Sequence, residues 1–587
     1  MHAQSAKTLH MGAEQTRLER QERRRADALT AILESEATKK LIVAGPGTGK
    51  THTFHEALLA CGGRGLALTF IRNLVADLSE TLGDIADVFT FHGFCKHQIH
   101  RHPVAGLQEG WDYYPSLLDL ITLDLQLLGR PSMTKKRIED RLHDLNEAGG
   151  VIAAALELGN YYNAVSHTDL VYRALRHFDE NDDEIPEYPL IVVDEYQDFS
   201  KLETSFIALL STKSPVLIAG DDDQALYGFK NASPEFIREL AGDNDFESFE
   251  LPYCSRCTKV VVDAVNDAIA AAVENGNLGD RLDKSFRCYL PDKQADSEAH
   301  PAIIHAKCSV ERGNAPYVGR YIARQIARIP IEDIRESKEK SYPTVLVIGP
   351  NPFLGRAYEV IVQQFPQAAM KKASQVTVEF LDAYRRLARD ADSRLGWRIL
   401  IHLDRFDDAD DALRGLLAAG DEIVTVLPDE YRDRHLEIAE FVRRLLDDEN
   451  LPEADERHLT AAVGKSLAEI REALSLADDD DRVDGGDEVE EDAPTIICTT
   501  LVGAKGLSAG YVFLVGFNNG HFPRDGARIT DEEVCCFLVG LSRTRKECHV
   551  VSCGRLGNEP LHVSEFAEWI EDEIEEVTVN AAYFNQN

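Results

Sequence analysis

Nowhere does this chain of 587 residues carry an apolar stretch of about 18 residues, so it offers no candidate for a membrane-spanning helix. Its N-terminus is polar and Arg-rich and lacks the apolar segment of a secretory signal. Positive charge is scarce as well. Against 101 Asp and Glu stand 63 Lys and Arg, a net charge of −38 at pH 7. That argues against a protein that coats nucleic acid by bulk electrostatics, and still allows a narrow basic groove in an acidic body. The 11 Cys form no spaced framework, and several lie inside strand-like apolar runs. They read as reduced structural thiols of a cytoplasmic protein. Cys254 and Cys257 make a CxxC, but without a second pair they do not read as a zinc site. No repeat of fixed 20–50-residue period is present.

What is present is an ordinary globular composition, 44% hydrophobic and 28% charged, long enough for three or four domains or subdomains. Much of the negative charge is local: residues 478–492 hold ten acids and one Arg, the signature of a solvated linker. Residues 12–38 predict a helix with a basic face. LIVAGPGTGKT (41–51), GLALTF (65–70), VFTFH (88–92), PLIVVDE (189–195) and PVLIAGDDDQ (215–224) predict strands that end in glycine or polar residues. A second set follows: PAIIHA (301–306), TVLVIG (344–349), PTIICTT (494–500), YVFLVG (511–516) and CHVVSC (548–553). The expected fold class is α/β, with two parallel-sheet units each interrupted by a mainly helical insertion. The expected boundaries are 1–96 and 186–244 for the first unit around an insertion at 97–185. For the second unit they are 245–375 and 494–587, around an insertion at 376–480 and an acidic linker at 481–493.

Two segments carry chemistry. AGPGTGKT (44–51) follows an apolar strand and opens a helix, the arrangement in which backbone N–H groups and a helix N-terminus converge on phosphate. Ala44, Gly45, Pro46, Gly47, Thr48 and Gly49 would form the cradle, Lys50 would reach the β- and γ-phosphates of ATP, and Thr51 would bind Mg²⁺. IVVDEYQDFS (191–200) ends a buried strand in two adjacent acids, at the sheet edge where α/β proteins bind ligands. Asp194 suits a metal ligand and Glu195 a group that orients an attacking water.

Further segments, in order along nearly the whole chain, resemble the UvrD/Rep group of superfamily 1 DNA helicases. They are LALTFIRNLVADL (66–78), FTFHGFC (89–95), DEYQD (194–198), GDDDQALYGFKNA (220–232), LPYCSRCT (251–258), TTLVGAKGL (499–507), GHFP (520–523) and EEVCCFLVGLSRT (532–544). The resemblance implies two RecA-like domains of the P-loop NTPase kind with ATP between them. It implies Glu195 as general base and Gln224 as sensor of the γ-phosphate. Arg256 and Arg543 would reach from the second unit to the transferring phosphoryl group. Gln21 would read adenine, and Gly506 would lie at the nucleotide. DNA contacts would fall to Thr69, Phe70, Asn73, Phe91, His92, Tyr227, Phe229, His521 and Phe522. The partner implied is single-stranded or tailed duplex DNA, with 3′→5′ movement. The chain departs from the group's pattern at Ser255, where an aromatic is usual, and at Val502, Ser508, Val534, Cys535 and Lys230. Its short insertions and acidic tract are similar to those of motors that work with a nuclease, such as the helicase-like subunit of the Gabija anti-phage system. A second functional class stays open: a nucleotide-gated regulatory subunit that separates no strands.

Overall fold

Apolar β-branched runs that end in Gly, Asp or Thr form the central strands of two sheets. The computed structural model describes residues 2–70, 72–228, 231–309, 317–371, 378–404, 409–476 and 492–585. Across the first sheet the order is Ala86–Thr90, Gly65–Thr69, Ile191–Val193, Val216–Gly220, Lys39–Val43, Glu247–Glu250, with every pairing parallel. Across the second it is Ala369–Met370, Ile496–Thr499, Val345–Ile348, Ala509–Val515, Thr544–Cys553, Ile303–Cys308, Ile574–Val579, again all parallel. Parallel sheets are covered on both faces, so their inner strands are apolar throughout. In the first sheet Leu41, Val43, Leu66, Leu68, Ile191 and Val193 face one core, whereas Ile42, Ala67, Val192 and Leu217 face another.

The helical insertions are Leu117–Leu127, Lys135–His143, Val151–Tyr162 and His167–Glu180 in the first unit. In the second they are Phe380–Arg389, Arg394–Asp404, Ala409–Ala419, Asp429–Leu446, Glu453–Val463 and Leu467–Leu476. They do not stand apart. Leu117, Leu120 and Ile121 share one apolar core with Trp397, Ile399 and Leu400, and that core runs into the face of the first sheet. Within it Arg398 pairs with Asp124 at 2.7 Å, and the Tyr162 hydroxyl donates to Asp124 at 2.6 Å.

Two expected boundaries move. Glu247–Glu250 pairs with Lys39–Val43, so the first sheet extends past residue 244. Helix Phe91–Ile99 runs through the expected division at 96/97. Of the acidic linker, only residues 492 and 493 lie within the described residues. No Cys is disulfide-bonded, and eight of the eleven are buried. Among the described residues no helix is long and apolar enough to cross a membrane.

Candidate active site

Strand Lys39–Val43 delivers Ala44 to the sheet edge, where its N–H donates to the Gly220 carbonyl at 3.0 Å. The loop then turns through left-handed Gly47 (φ 68°) and Gly49 (φ 99°), conformations that glycine adopts without steric penalty. Gly49 caps helix Lys50–Ala60, whose first-turn N–H groups and positive end face the loop. Thr48 Oγ1 donates to the Gly45 carbonyl at 2.8 Å, and Lys50 Nζ lies 3.4 Å from the Ala44 carbonyl. The cradle is tightly covered. A Cβ on Gly47 would collide with Arg256 Cβ, and one on Gly45 would come within 2.7 Å of the Phe286 ring.

Strand Ile191–Val193 places Asp194 and Glu195 at the same edge. Asp194 is held by its own N–H to the Leu68 carbonyl (3.0 Å), and its Oδ1 accepts from the Glu195 N–H (2.9 Å). Glu195 has φ 55°, a strained conformation for a residue with a Cβ. That bend turns its carboxylate toward Gln197 Nε2, 2.6 Å away. With the protein's own groups alone, burial and then the Glu195 charge raise the Asp194 carboxyl to about 6. Burial would raise Glu195 too, but Lys50, Lys505, Arg543 and the Gln197 hydrogen bond outweigh it and hold Glu195 down at about 2. Glu195 is therefore a carboxylate at any physiological pH, the state a general base requires. Thr51 and Asp194 supply hard oxygen donors of the kind Mg²⁺ takes.

Groups from the second sheet close on this edge. Arg543, the C-cap of helix Asp531–Ser542, is 4% exposed and donates to Gln224 Oε1 at 3.0 Å. Burial and the neighbouring Arg256 lower it to about 10, and it remains a cation. Gln224 Nε2 in turn donates to Asp221 at 2.5 Å. The Ser255 N–H donates to the Gly47 carbonyl at 2.9 Å, a main-chain contact that needs no aromatic at that position. Ser508 accepts from Arg545 at 2.9 Å. Val534 and Cys535 are buried on helix Asp531–Ser542, which explains apolar side chains there. Gly506 has φ 80°, next to Lys505.

Lys505 carries more of the junction than its motif neighbours suggested. It is 3% exposed, ion-pairs with Asp198, approaches Glu195 Oε2 at 3.6 Å and donates to the Gln224 carbonyl at 2.8 Å. Its signal was in the sequence, one residue before Gly506. Lys284 and Arg281 had no such signal. Lys284 Nζ sits 2.9, 2.5 and 2.7 Å from Asp221, Asp222 and Asp223, and Arg281 makes a bidentate pair with Asp223. The three acids thus already enclose a cation of the protein's own.

Several expected contacts are corrected. Gln21 is bonded at both ends of its amide, to the Cys288 carbonyl (3.3 Å) and the Leu290 N–H (3.0 Å). It lines a cavity of about 550 Å³ with Arg17, Arg20 and Arg24, and its edge is committed to main chain. Phe91 is fully buried against Phe199 and Phe206, and Phe522 packs on Phe517, Phe537 and Phe566. Both are core residues, their rings enclosed by other aromatic side chains. Thr69 is likewise buried at the end of its strand. Phe70 and Tyr227 remain partly exposed and pack together with 5.2 Å between centroids. His92 stacks on His167 at 3.6 Å, and His521 lies edge-on to Phe353 at 4.9 Å. Phe229 and Lys230, and the side chain of Asn73, lie outside the described residues.

The model of the UvrD/REP helicase N-terminal domain matches residues 131–245. DNA helicase II of Salmonella typhimurium is 24% identical, the alignment covering 86% of this chain and 81% of the relative. ATP-dependent DNA helicase UvrD1 of Mycobacterium tuberculosis is 24% identical over 88% of this chain and 80% of its own length. ATP-dependent DNA helicase PcrA of Staphylococcus aureus is 26% identical over 40% of this chain and 39% of its own. Two parallel sheets meeting at a phosphate loop, an Asp–Glu pair and a cross-cleft arginine accord with this similarity, and together they support a UvrD/Rep-like superfamily 1 helicase.

Proposed function

We propose that this chain is a DNA helicase that hydrolyses ATP between its two sheets and moves 3′→5′ along single-stranded DNA. The observation that carries the reading is Glu195: a carboxylate bent into the cleft, kept ionised by Lys50 and Lys505, with Arg543 facing it from the other sheet. In this reading Thr51 and Asp194 hold Mg²⁺, which when bound would neutralise phosphate charge. Lys50 and the loop N–H groups bind the β- and γ-phosphates. Glu195 takes the proton of the attacking water, while Gln224, Arg256 and Arg543 stabilise the charge that develops on the transferring group. Because Gln224 bridges Asp221 of one unit and Arg543 of the other, a γ-phosphate that engages both side chains would exchange this direct bond for bonds to phosphate, and so couple nucleotide state to the contact between sheets. Repeated closure and release then advances the protein, with Phe70, Tyr227 and Phe229 offering aromatic faces to bases.

The test is ATP turnover with and without single-stranded DNA, for the wild type and Glu195→Gln, followed by strand displacement on a 3′-tailed duplex. Turnover indifferent to DNA would remove the motor. DNA-stimulated turnover that survives Glu195→Gln would remove the assigned base.

One observation favours a second reading, a DNA-gated ATPase subunit of a nuclease complex in repair or anti-phage defence. The two insertions are fused through the buried Asp124–Arg398 pair, which restricts the independent movement that strand separation would use. DNA-stimulated turnover without strand displacement is its expected outcome.

A further inference from the structure

Residues that leave and re-enter the first sheet meet at the neck of the first insertion, about a cluster that the nucleotide site does not use. The chain exits through helix Phe91–Ile99 into the segment carrying His102. It returns through helix His167–Glu180 and the short turn Asp182–Glu184, and then enters strand Ile191–Val193 with its two acids. At the neck His102 Nδ1 lies 2.9 Å, and His177 Nε2 2.7 Å, from the same carboxylate oxygen, Glu184 Oε2. All three donor atoms lie within 4.8 Å of one another.

The donors are held in place. The His177 side chain is 7% exposed, and His102 meets the Phe178 ring edge-on at 5.4 Å. Asn181 Nδ2 donates to the His177 carbonyl at 2.7 Å, and the Glu184 N–H donates to the Asn181 carbonyl at 3.0 Å, which fixes the turn relative to the helix. Glu184 itself is 39% exposed, so the cluster opens to solvent on one side. The surrounding segment 179–187 adds Asp183 and Glu187 to three acids that the protein's own cations pair, Asp179 and Glu180 with Arg176 and Asp182 with Lys213. Two imidazole nitrogens and one carboxylate oxygen, with an open fourth direction, are a donor set that Zn²⁺ takes at about 2.0–2.2 Å. Oxygen-seeking Mg²⁺ and Ca²⁺ favour all-oxygen sites instead.

We propose that His102, His177 and Glu184 form a binding site for a zinc-type divalent ion that staples the two ends of the insertion's neck. The site is separate from the phosphate loop, and the proposal does not depend on ATP hydrolysis. Its alternative is a pair of N–H···O bonds from the two histidines to one carboxylate, with no affinity for metal.

The experiment uses the full chain stripped of metal by chelator, titrated with Co²⁺ by visible absorption and with Zn²⁺ by calorimetry. The expected result is one saturable equivalent with ligand-field absorption, no thiolate-to-cobalt charge transfer, and a higher unfolding midpoint with Zn²⁺. His102→Gln and the exposed, near-isosteric Glu184→Gln should each weaken binding by at least about tenfold. Asp194→Asn should leave it unchanged. Non-saturable binding, unchanged binding in both variants, a thiolate band that transfers the metal to cysteine, or loss of binding in Asp194→Asn would each overturn the proposal. Because His102 and Glu184 are not core side chains, both variants remain folded and informative without Zn²⁺.

Discussion

Glu195 and Asp194 are chain neighbours with opposite electrostatic fates. Lys50, Lys505 and Arg543 gather around Glu195 and depress it, whereas Asp194 is raised by burial and by the charge next door. Glu195→Gln keeps the shape and removes the proposed base, so turnover should drop by roughly 10²–10⁴-fold while nucleotide binding persists, as read by phosphate release and equilibrium binding. The Asp194 shift has a sign that can be checked. Its folded value near 6 exceeds the unfolded 3.8, so stability is favoured below pH 3.8 and is lost as the pH rises toward and through 6. Without Mg²⁺, Asp194→Asn should therefore raise the unfolding midpoint at pH 8 and change it little at pH 4. A lower midpoint at pH 8 would mean that Lys50 dominates at that carboxylate.

Helix Asp531–Ser542 links a cap to a functional side chain. Thr530 Oγ1 accepts from the Glu533 N–H, and Glu533 accepts back from the Thr530 N–H at 3.0 Å, a capping box that starts the helix whose far end presents Arg543. Thr530→Ala should cost about 1 kcal/mol in chemical denaturation, with the Arg543–Gln224 contact retained. The loop holding Arg281 and Lys284 is the stronger brace. Lys284→Met leaves Asp221, Asp222 and Asp223 buried with Arg281 and Arg238 as the ion-pair partners that remain. Breaking a buried charge network of this kind costs about 3–5 kcal/mol. The denaturation midpoint should fall accordingly, and Gln224, on the same turn, should lose its aim.

Across the whole molecule the two insertions behave as one helical body. Arg398→Met alone strands the Asp124 carboxylate in the shared core and should destabilise by about 3–5 kcal/mol. The double variant Asp124→Leu/Arg398→Met should recover most of that loss, measured by a double-mutant cycle in denaturant. If both variants fall equally, the pair does not couple the insertions. A net charge of −38 also confines any DNA path to local patches, so DNA-stimulated turnover should decline steeply between low and moderate salt.

Inner strands were legible because both faces of a parallel sheet demand unbroken apolar runs, as in Leu41–Val43 or Ile191–Val193. Glu247–Glu250 and Ile574–Val579 escaped because edge strands keep one side in solvent and carry acids. The phosphate loop and the Asp194–Glu195 pair were legible as short local patterns at strand ends, whereas Arg543 was expected only through the resemblance to UvrD/Rep-like helicases. The sequence by itself determined those local devices and the α/β class. Tertiary packing alone decided that Phe91 and Phe522 are core, that Gln21 is bound to main chain, and that Lys284 fills the acidic triad. It also decided that two insertions, joined by a pair of residues 274 apart in the chain, share one interior. A side chain's surroundings are set by elements that arrive from elsewhere in the chain, and no local pattern records their arrival.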